Sequence, residues 1–296
     1  MAATLSIGVP NFGGWAGGDW RALIDIARVA EDSGVDRIVV VDHVVMGHHT
    51  DAYAWGRFPV PPEAPWLEPL IVLTAMATVT SRIRLSTGIL IAPLRPAALL
   101  AKQVATLDAL SGGRVDLGVG VGWQKEEYDA QGLTFADRGL LLEETIAACR
   151  ALWTDLPASY EGKTVSFAET FCSPQPMQSR LPVWFGGTLS DRMLRRVVEL
   201  GDGWIPIMGA TADDVRDGAA RIAASTDRHI DIQSRAATVV GGDGKPDAVA
   251  TIAGVPNLVA AGVTDVTVNI AAFAPTIAEA PGALATLGAT FREVTA

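Results

Sequence analysis

One arrangement of apolar and polar positions recurs along the chain: an amphipathic helix, a short glycine-rich or polar turn, and then a short apolar run. The clearest copy predicts a helix that starts at Pro96 and stops at the glycine pair Gly112-Gly113. Its apolar face consists of Ala97, Leu100, Val104 and Leu107. Helices that end at glycine and lead into β-branched runs are typical of αβ units around a parallel sheet.

Eight apolar runs have the length and spacing of strands in such a sheet. They cover residues 5–9, 37–41, 84–90, 115–121, 183–185, 204–207, 236–240 and 265–270. Eight βα units in 296 residues predict a (β/α)8 TIM barrel, and a doubly wound open sheet is the alternative.

Two longer segments interrupt this rhythm, and we interpret them as insertions after the second strand and before the fifth. The first, residues 43–65, is rich in proline, glycine and aromatic residues. The second, residues 157–180, contains ASYEGKTVSF, which predicts a short hairpin with its turn at Glu161-Gly162-Lys163. Because no stretch has the composition of a linker, we expect residues 1–296 to form a single domain.

The composition limits the partners that this chain can have. A formal net charge of −10 argues against a surface for nucleic acid or anionic membrane. The N-terminus lacks the features of a signal peptide, and no run of ~18 apolar residues predicts a membrane span. The two cysteines provide no disulfide framework, and Cys149 shares an apolar helix stripe with Leu142, Ile146 and Trp153, which predicts a core position. We expect a cytoplasmic protein that acts on a small molecule, with monomer and homodimer both open.

Chemistry in a TIM barrel is located at the carboxyl ends of the strands, where this chain has few titratable side chains. Asp42-His43 follows the second strand, and this histidine is the one at a strand end, so it is the candidate general acid or base. A histidine satisfied by local hydrogen bonds is the alternative. His48, His49 and Asp51 follow, but adjacent histidines seldom point at one ion and no further ligand completes a set, so no metal is predicted.

The segment SGGRVDLGVGVGW places Gly118, Gly120 and Gly122 in an apolar strand. Glycine in a strand marks the close approach of a ligand or of another backbone. A dinucleotide fingerprint fails, because its third glycine would fall on Trp123. Since bulky branched residues fill barrel interiors, we expect the odd-numbered side to face inward and the glycines to face the helices. The odd-numbered residues are Val115, Leu117, Val119, Val121 and Trp123, and Trp123 then lines the cleft.

Gly186-Gly187-Thr188 lies between a predicted strand and a predicted helix with Ser190 as its N-cap. Free backbone N–H groups at such a helix start bind phosphate readily, which makes this segment a candidate anion site. An ordinary βα turn is the alternative. The sequence contains no nucleophile elbow, P-loop or HExxH motif.

Four longer motifs occur in the order VVVDHV, VTSRIRLSTGIL, ALSGGRVDLGVGVGWQKEEYDAQGLTFADRG and VWFGGTLSDRMLRRVVELGDGW. Together they resemble the luciferase-like monooxygenase superfamily, and within it the coenzyme F420-dependent oxidoreductases of actinobacteria. The resemblance covers most of the chain. It implies a (β/α)8 barrel that binds a deazaflavin at its C-terminal face.

The resemblance also implies roles for individual residues. Asp42 and His43 match a cofactor-facing pair, in which the histidine is the acid or base beside the reactive carbon. Gly88-Ile89 matches a non-proline cis peptide behind the cofactor ring, and Gly186-Gly187-Thr188 matches the segment that holds the cofactor phosphate. The other residues expected around the ligands are Thr87, Val121 and Gly122 at the cofactor and Phe12 and Trp123 at the substrate.

One position departs from the pattern of the family. In its sugar-phosphate dehydrogenases a glutamate follows the last glycine of the strand-4 motif and donates a proton, whereas this chain has Trp123 there. Glu126 and Glu127 lie nearby but out of register. Oxidation of a sugar phosphate is therefore not expected, and an apolar or aromatic substrate is favoured.

The predicted function is an F420-dependent oxidoreductase that transfers a hydride between the deazaflavin and a small apolar or aromatic organic molecule. An FMN-dependent luciferase-like monooxygenase is the nearest alternative. A deazaflavin-binding protein without catalysis is an alternative of another class. A barrel hydrolase or aldolase would need metal ligands or a Schiff-base lysine at the strand ends, and we find neither there.

Overall fold

The computed structural model describes residues 3–206 and 209–295, and these contain thirteen strands. In chain order the strands are β1 (Thr4–Gly8), β2 (Arg37–Val40), β3 (Arg84–Thr87), β4 (Leu90–Ile91), β5 (Val115–Gly120), β6 (Ala158–Glu161), β7 (Ser166–Thr170), β8 (Val183–Gly186), β9 (Gly203–Ile205), β10 (Asp231–Arg235), β11 (Val239–Val240), β12 (Pro246–Asp247) and β13 (Asp265–Asn269). Two antiparallel pairs, β6–β7 and β11–β12, stand apart from the nine other strands, which form one sheet.

The large sheet closes on itself as a parallel barrel. Its strand order is β3-β2-β1-β13-β10-β9-β8-β5-β4, and β3 also pairs with β5, at Leu85 and Val115. β3 and β4 occupy one position of the barrel and are separated by Gly88 and Ile89, whose peptide bond is cis, as the resemblance implied. The barrel therefore has eight strand positions. The predicted (β/α)8 barrel is confirmed, and the open sheet is excluded.

Helices follow every strand position of the barrel. They are α1 (Trp20–Asp32), α2 (Pro69–Ala77), α3 (Ala97–Ser111), α4 (Lys125–Ala130), α5 (Arg138–Thr154), α6 (Asp191–Glu199), α7 (Ala212–Ala223), α8 (Ala248–Ile252), α9 (Val255–Ala260), α10 (Ile270–Phe273) and α11 (Ala280–Thr295). α3 has the predicted limits: Pro96 is its N-cap, and Gly112 ends it in the left-handed conformation with φ 70°.

The core lies between the barrel strands and these helices. All four residues of the predicted apolar face of α3 are buried there. The predicted stripe on α5 is buried as well, and Cys149 within it is fully inaccessible. Burial raises the pKa of the Cys149 thiol, so this residue is a small core side chain rather than a nucleophile.

The segment between Leu156 and Arg180 contains the predicted hairpin, formed by β6 and β7. Glu161 pairs with Ser166, and Gly162 N–H donates to Val165 O across the turn. The segment after β2 has little regular structure before α2, with one short 3-10 helix at Thr50–Ala52. This loop reaches the carboxyl end of the barrel.

The predicted position of the seventh barrel strand is wrong. The strand is β10 at Asp231–Arg235, whereas residues 236–240 leave the barrel and end in the exposed two-residue strand β11. β10 contains polar side chains, so it does not have the apolar pattern that predicts a strand. Gln233 is nevertheless buried, because it donates a hydrogen bond to Asp265 inside the barrel, at 2.7 Å. Ile207, predicted as part of the sixth strand, lies outside the described residues.

A buried network of ion pairs occupies the amino-terminal half of the barrel interior. Arg37 Nε lies 2.8 Å from Asp116 Oδ2, and its Nη1 pairs with Asp265. Arg84 binds both oxygens of Asp116, at 2.6 and 2.7 Å. Burial raises the pKa of Asp116, but the charges and hydrogen bonds of Arg37 and Arg84 outweigh it and hold that pKa below its ordinary value.

This network shows that the predicted orientation of β5 is inverted. Asp116 meets Arg37 and Arg84 from other strands, which is the inward direction, and Gly118 and Gly120 share its side of the strand. A Cβ on Gly118 would overlap the Thr87 carbonyl oxygen, and one on Gly120 would lie 2.8 Å from Ile89 Cδ1.

The glycines therefore face inward, and Val115, Leu117 and Val119 are buried on the other side, where β5 contacts α3. The interior at this level is filled by the backbone at Thr87 and the side chain of Ile89, so branched side chains from β5 have no room there. Gly186 of β8 also has no room for a side chain, because its Cβ would lie 2.6 Å from Ile89 Cγ2.

Candidate functional site

A cavity of about 700 Å³ opens at the carboxyl ends of the barrel strands. This is the face where TIM barrels carry their sites, and the volume is typical of small-molecule pockets. Seven of the residues predicted from the sequence line it: Phe12, Asp42, His43, Gly88, Ile89, Gly122 and Trp123. Five predicted residues are not part of its lining: Thr87, Val121, Gly186, Gly187 and Thr188.

His43 is bound from behind by a carboxylate. Its Nδ1 lies 3.0 Å from Glu127 Oε2, and the other oxygen, Glu127 Oε1, accepts a hydrogen bond from Val44 N–H at 2.8 Å. An ionised carboxylate only accepts hydrogen bonds, so a hydrogen bond between this pair requires the proton on Nδ1 when Glu127 is ionised. Among the described residues nothing bonds His43 Nε2, which is the other ring nitrogen.

The first turn of α4 holds the loop that follows β2. Gln124 exchanges two hydrogen bonds with the backbone of Gly47, at 2.8 and 3.3 Å, and Glu126 pairs with His49. Glu127, on the same turn, is fully buried. Sequence reasoning missed Glu127 because it is out of register with the glutamate of the strand-4 motif; its place in the first turn of the helix after that motif was the available signal.

Aromatic side chains form one side of the cavity next to His43. Phe12 stacks on Trp66 with ring centroids 4.2 Å apart, and Trp66 meets the His43 ring edge-on at 4.7 Å. Trp123 contacts Phe58 at 5.3 Å. We call Phe12, Tyr53, Phe58, Trp66 and Trp123 the aromatic wall. Flat rings arranged in this way suit a flat apolar ligand.

Both oxygens of Asp42, expected to face the cofactor, are hydrogen-bonded to other residues of the protein. Arg95 binds both of its oxygens, at 2.7 and 3.0 Å, and Ile91 N–H donates to Oδ2 at 2.8 Å. Arg95 also pairs with Glu68. Burial lowers the pKa of Arg95, but Asp42 and Glu68 outweigh it and raise that pKa above its ordinary value. Asp42 thus ties β4 to the end of β2. Arg95 and Glu68 are supporting residues that the sequence did not reveal.

Gly186-Gly187-Thr188 does lead into α6, with Ser190 Oγ accepting from Met193 N–H at 3.3 Å as its cap. Gly187 N–H, however, donates to Ile205 O at 3.0 Å, and Gly187 O accepts from Trp204 Nε1. That N–H is therefore occupied, and phosphate binding at this segment stays a prediction.

The charged side chains around the cavity are mainly cationic. Among the described residues of the lining, Arg57 and Arg235 are cationic, and the one carboxylate, Asp42, is paired with Arg95. In residues 3–206 and 209–295 no group of three His, Cys, Asp or Glu side chains is arranged to hold a metal. Over the same residues, no helix combines the length and apolar character needed to cross a membrane.

Comparison with known proteins gives this cavity a context. A sequence model of the luciferase-like monooxygenases matches residues 5–290. An uncharacterised protein of Mycobacterium tuberculosis is 35% identical over 187 residues, which are 60% of this chain and 65% of that protein. An F420-dependent glucose-6-phosphate dehydrogenase of Segniliparus rotundus is 32% identical over 200 residues, 65% of this chain and 55% of the dehydrogenase. The matched part thus spans less than two thirds of these relatives.

A solved structure shares the fold along the whole barrel. The monooxygenase RslO1 of Streptomyces bottropensis superposes with a TM-score of 0.79 at 16% identity, over 98% of this chain and 100% of RslO1. At this identity the likeness concerns the fold alone.

Proposed function

Because the chain belongs to the luciferase-like monooxygenase family, we propose that it is an oxidoreductase that transfers a hydride between coenzyme F420 and a small apolar or aromatic organic substrate. The observation that carries this proposal is a cavity in which His43 stands beside the aromatic wall with one ring nitrogen unbonded by the described residues. One acid or base within an apolar site matches a reaction that moves one hydride and one proton.

The cavity fits a deazaflavin in size and in lining. Its volume of about 700 Å³ is in the range of sites for small organic ligands. Gly88, Ile89 and Gly122 line it, and a Cβ on either glycine would meet Val39 or Ile91, which line it as well. In this proposal Gly88 and Ile89 support the ring, and Arg57 and Arg235 provide positive charge toward the anionic part of the cofactor.

When bound, the deazaflavin supplies two-electron hydride chemistry. The residues of the chain supply the rest: His43 Nε2 exchanges the proton, and Glu127 keeps the imidazole oriented through Nδ1. The aromatic wall orients an apolar substrate and excludes water from the reacting groups. Trp123 occupies the position where a carboxylate would serve as a second proton donor, and this favours an apolar substrate over a sugar phosphate.

A binding titration of the purified protein with F420 and, separately, with FMN tests this assignment. We expect F420 to bind more tightly than FMN, as measured by the change in cofactor fluorescence. Equal or tighter binding of FMN, combined with product formation that requires O₂, would instead support a flavin monooxygenase on the same barrel. Tight F420 binding without turnover of any substrate would support a carrier function.

A further inference from the structure

Glu127 is a fully buried carboxylate that has no arginine or lysine partner among the described residues. Its hydrogen bonds go to His43 Nδ1 and to the N–H of Val44. Burial of a carboxylate is costly unless its oxygens accept hydrogen bonds. The buried position of Glu127 is therefore stabilised by the two groups that it binds. Both groups belong to the loop that carries His43 into the cavity.

That loop is also held at other points. Gln124 bonds the backbone of Gly47 in both directions, and Glu126 pairs with His49. The attachment of the loop to α4 therefore does not depend on Glu127 alone. What Glu127 contributes by itself is the contact with a side chain of the cavity.

We propose that Glu127 is a positioning residue that fixes His43 in the Nδ1–H tautomer and thereby reserves Nε2 for proton exchange during turnover. The tautomer follows from the chemistry of the pair, because a carboxylate accepts and cannot donate. The use of Nε2 in turnover rests on the proposed function, whereas the tautomer itself is a property of the protein without cofactor.

Glu127→Gln keeps the shape of the side chain but presents a hydrogen-bond donor to His43 Nδ1 in place of an acceptor. The amide oxygen continues to accept from Val44 N–H, which leaves the amide NH₂ to face His43 Nδ1. Nδ1 then has to accept, and the proton moves to Nε2. Glu126→Gln is the matched control, because this neighbouring carboxylate binds the exposed His49 instead.

The test is long-range ¹H–¹⁵N NMR of histidine-labelled protein without cofactor, in the pH range where His43 is neutral. The chain has four histidines, and the signal of His43 is identified by its loss in His43→Ala. We expect Nδ1–H in the wild type and in Glu126→Gln, and Nε2–H in Glu127→Gln. An Nε2–H tautomer in the wild type overturns the proposal, and this spectrum decides even if Glu127→Gln fails to fold.

Kinetics provide the second readout. For hydride transfer with F420, we expect Glu127→Gln to lower kcat by about 10²-fold with KM and cofactor Kd nearly unchanged, while Glu126→Gln behaves as the wild type. An unchanged kcat in a Glu127→Gln protein with a reversed tautomer contradicts the role in turnover. If F420 supports no turnover even in the wild type, the proposed function fails, and the spectra still decide the tautomer.

Discussion

Because the glycines of β5 face inward, we predict that substitution by alanine lowers the stability of the protein by very different amounts at Gly118 and at Gly120. A Cβ on Gly118 would overlap the carbonyl oxygen of Thr87 and lie 3.1 Å from its carbonyl carbon, so the backbone would have to move. A Cβ on Gly120 would lie 2.8 Å from Ile89 Cδ1, about 0.7 Å inside the ~3.5 Å separation of carbon atoms in contact. The end of the Ile89 side chain can shift by that amount.

Overpacking a core costs about 1–3 kcal/mol, and we place a change that forces the backbone to move at the upper end of that range. We therefore expect Gly118→Ala to lower the free energy of unfolding by about 3 kcal/mol and Gly120→Ala by about 1 kcal/mol. For 296 residues this difference of about 2 kcal/mol corresponds to roughly 3–4 °C in melting temperature.

Urea denaturation and thermal melting of the two variants measure this difference. Gly282→Ala is the control, because a Cβ at this exposed position of α11 has no atom within 4 Å and alanine should keep or raise the stability of the helix. Equal losses in the two variants, or a larger loss for Gly120→Ala, would refute the inward orientation of these glycines.

Three further predictions concern the cavity and the ion pairs below it. Trp123→Ala should weaken cofactor or substrate binding with little change in melting temperature, since Trp123 lines the cavity; a loss near the ~3–5 kcal/mol of a core tryptophan would contradict this. His43→Ala should lower turnover by ~10²-fold or more with an intact circular dichroism spectrum, and a change below about threefold at saturating substrate would make His43 structural. Asp116 has a lowered pKa in the folded protein, so its contribution to stability is present above its unfolded pKa, about 4, and is lost as pH falls through the folded value. Asp116→Asn, although less stable at neutral pH, should therefore lose stability less steeply below about pH 4 than the wild type, and equal slopes in acid denaturation would argue against this linkage.

The fold was predictable where local signals and burial agree. Proline before α3 and glycine after it mark the helix ends in the sequence itself, and its apolar spacing matches the buried face. β10 lacks such signals. Gln233 is buried through a hydrogen bond to Asp265, 32 positions along the chain, and apolar spacing carries no trace of that partner. The exposed valines of β11 end the apolar run, residues 236–240, that predicts the strand.

The site was predictable in part because barrel topology brings strand ends together. His43 and Trp123 follow different strands, and the structure places both at the cavity, 5.8 Å apart between ring centroids. The supporting roles of Glu127 and Arg95 were not predictable from the sequence. The role of Glu127 depends on which loop packs against α4, and that of Arg95 depends on how β4 packs against the end of β2. The orientation of β5 was missed for a similar reason, because backbone from the neighbouring strand fills the interior where side chains were expected.

The most direct test of the central claim is a single-turnover reaction without oxygen. Reduced F420 is mixed with the protein and a panel of enones, and the return of the oxidised cofactor absorbance is followed. The account predicts oxidation of the cofactor coupled to reduction of at least one enone, at a rate that falls by about 10²-fold or more in His43→Ala. Absence of anaerobic cofactor oxidation with every enone, together with product formation from reduced FMN and O₂, would contradict it.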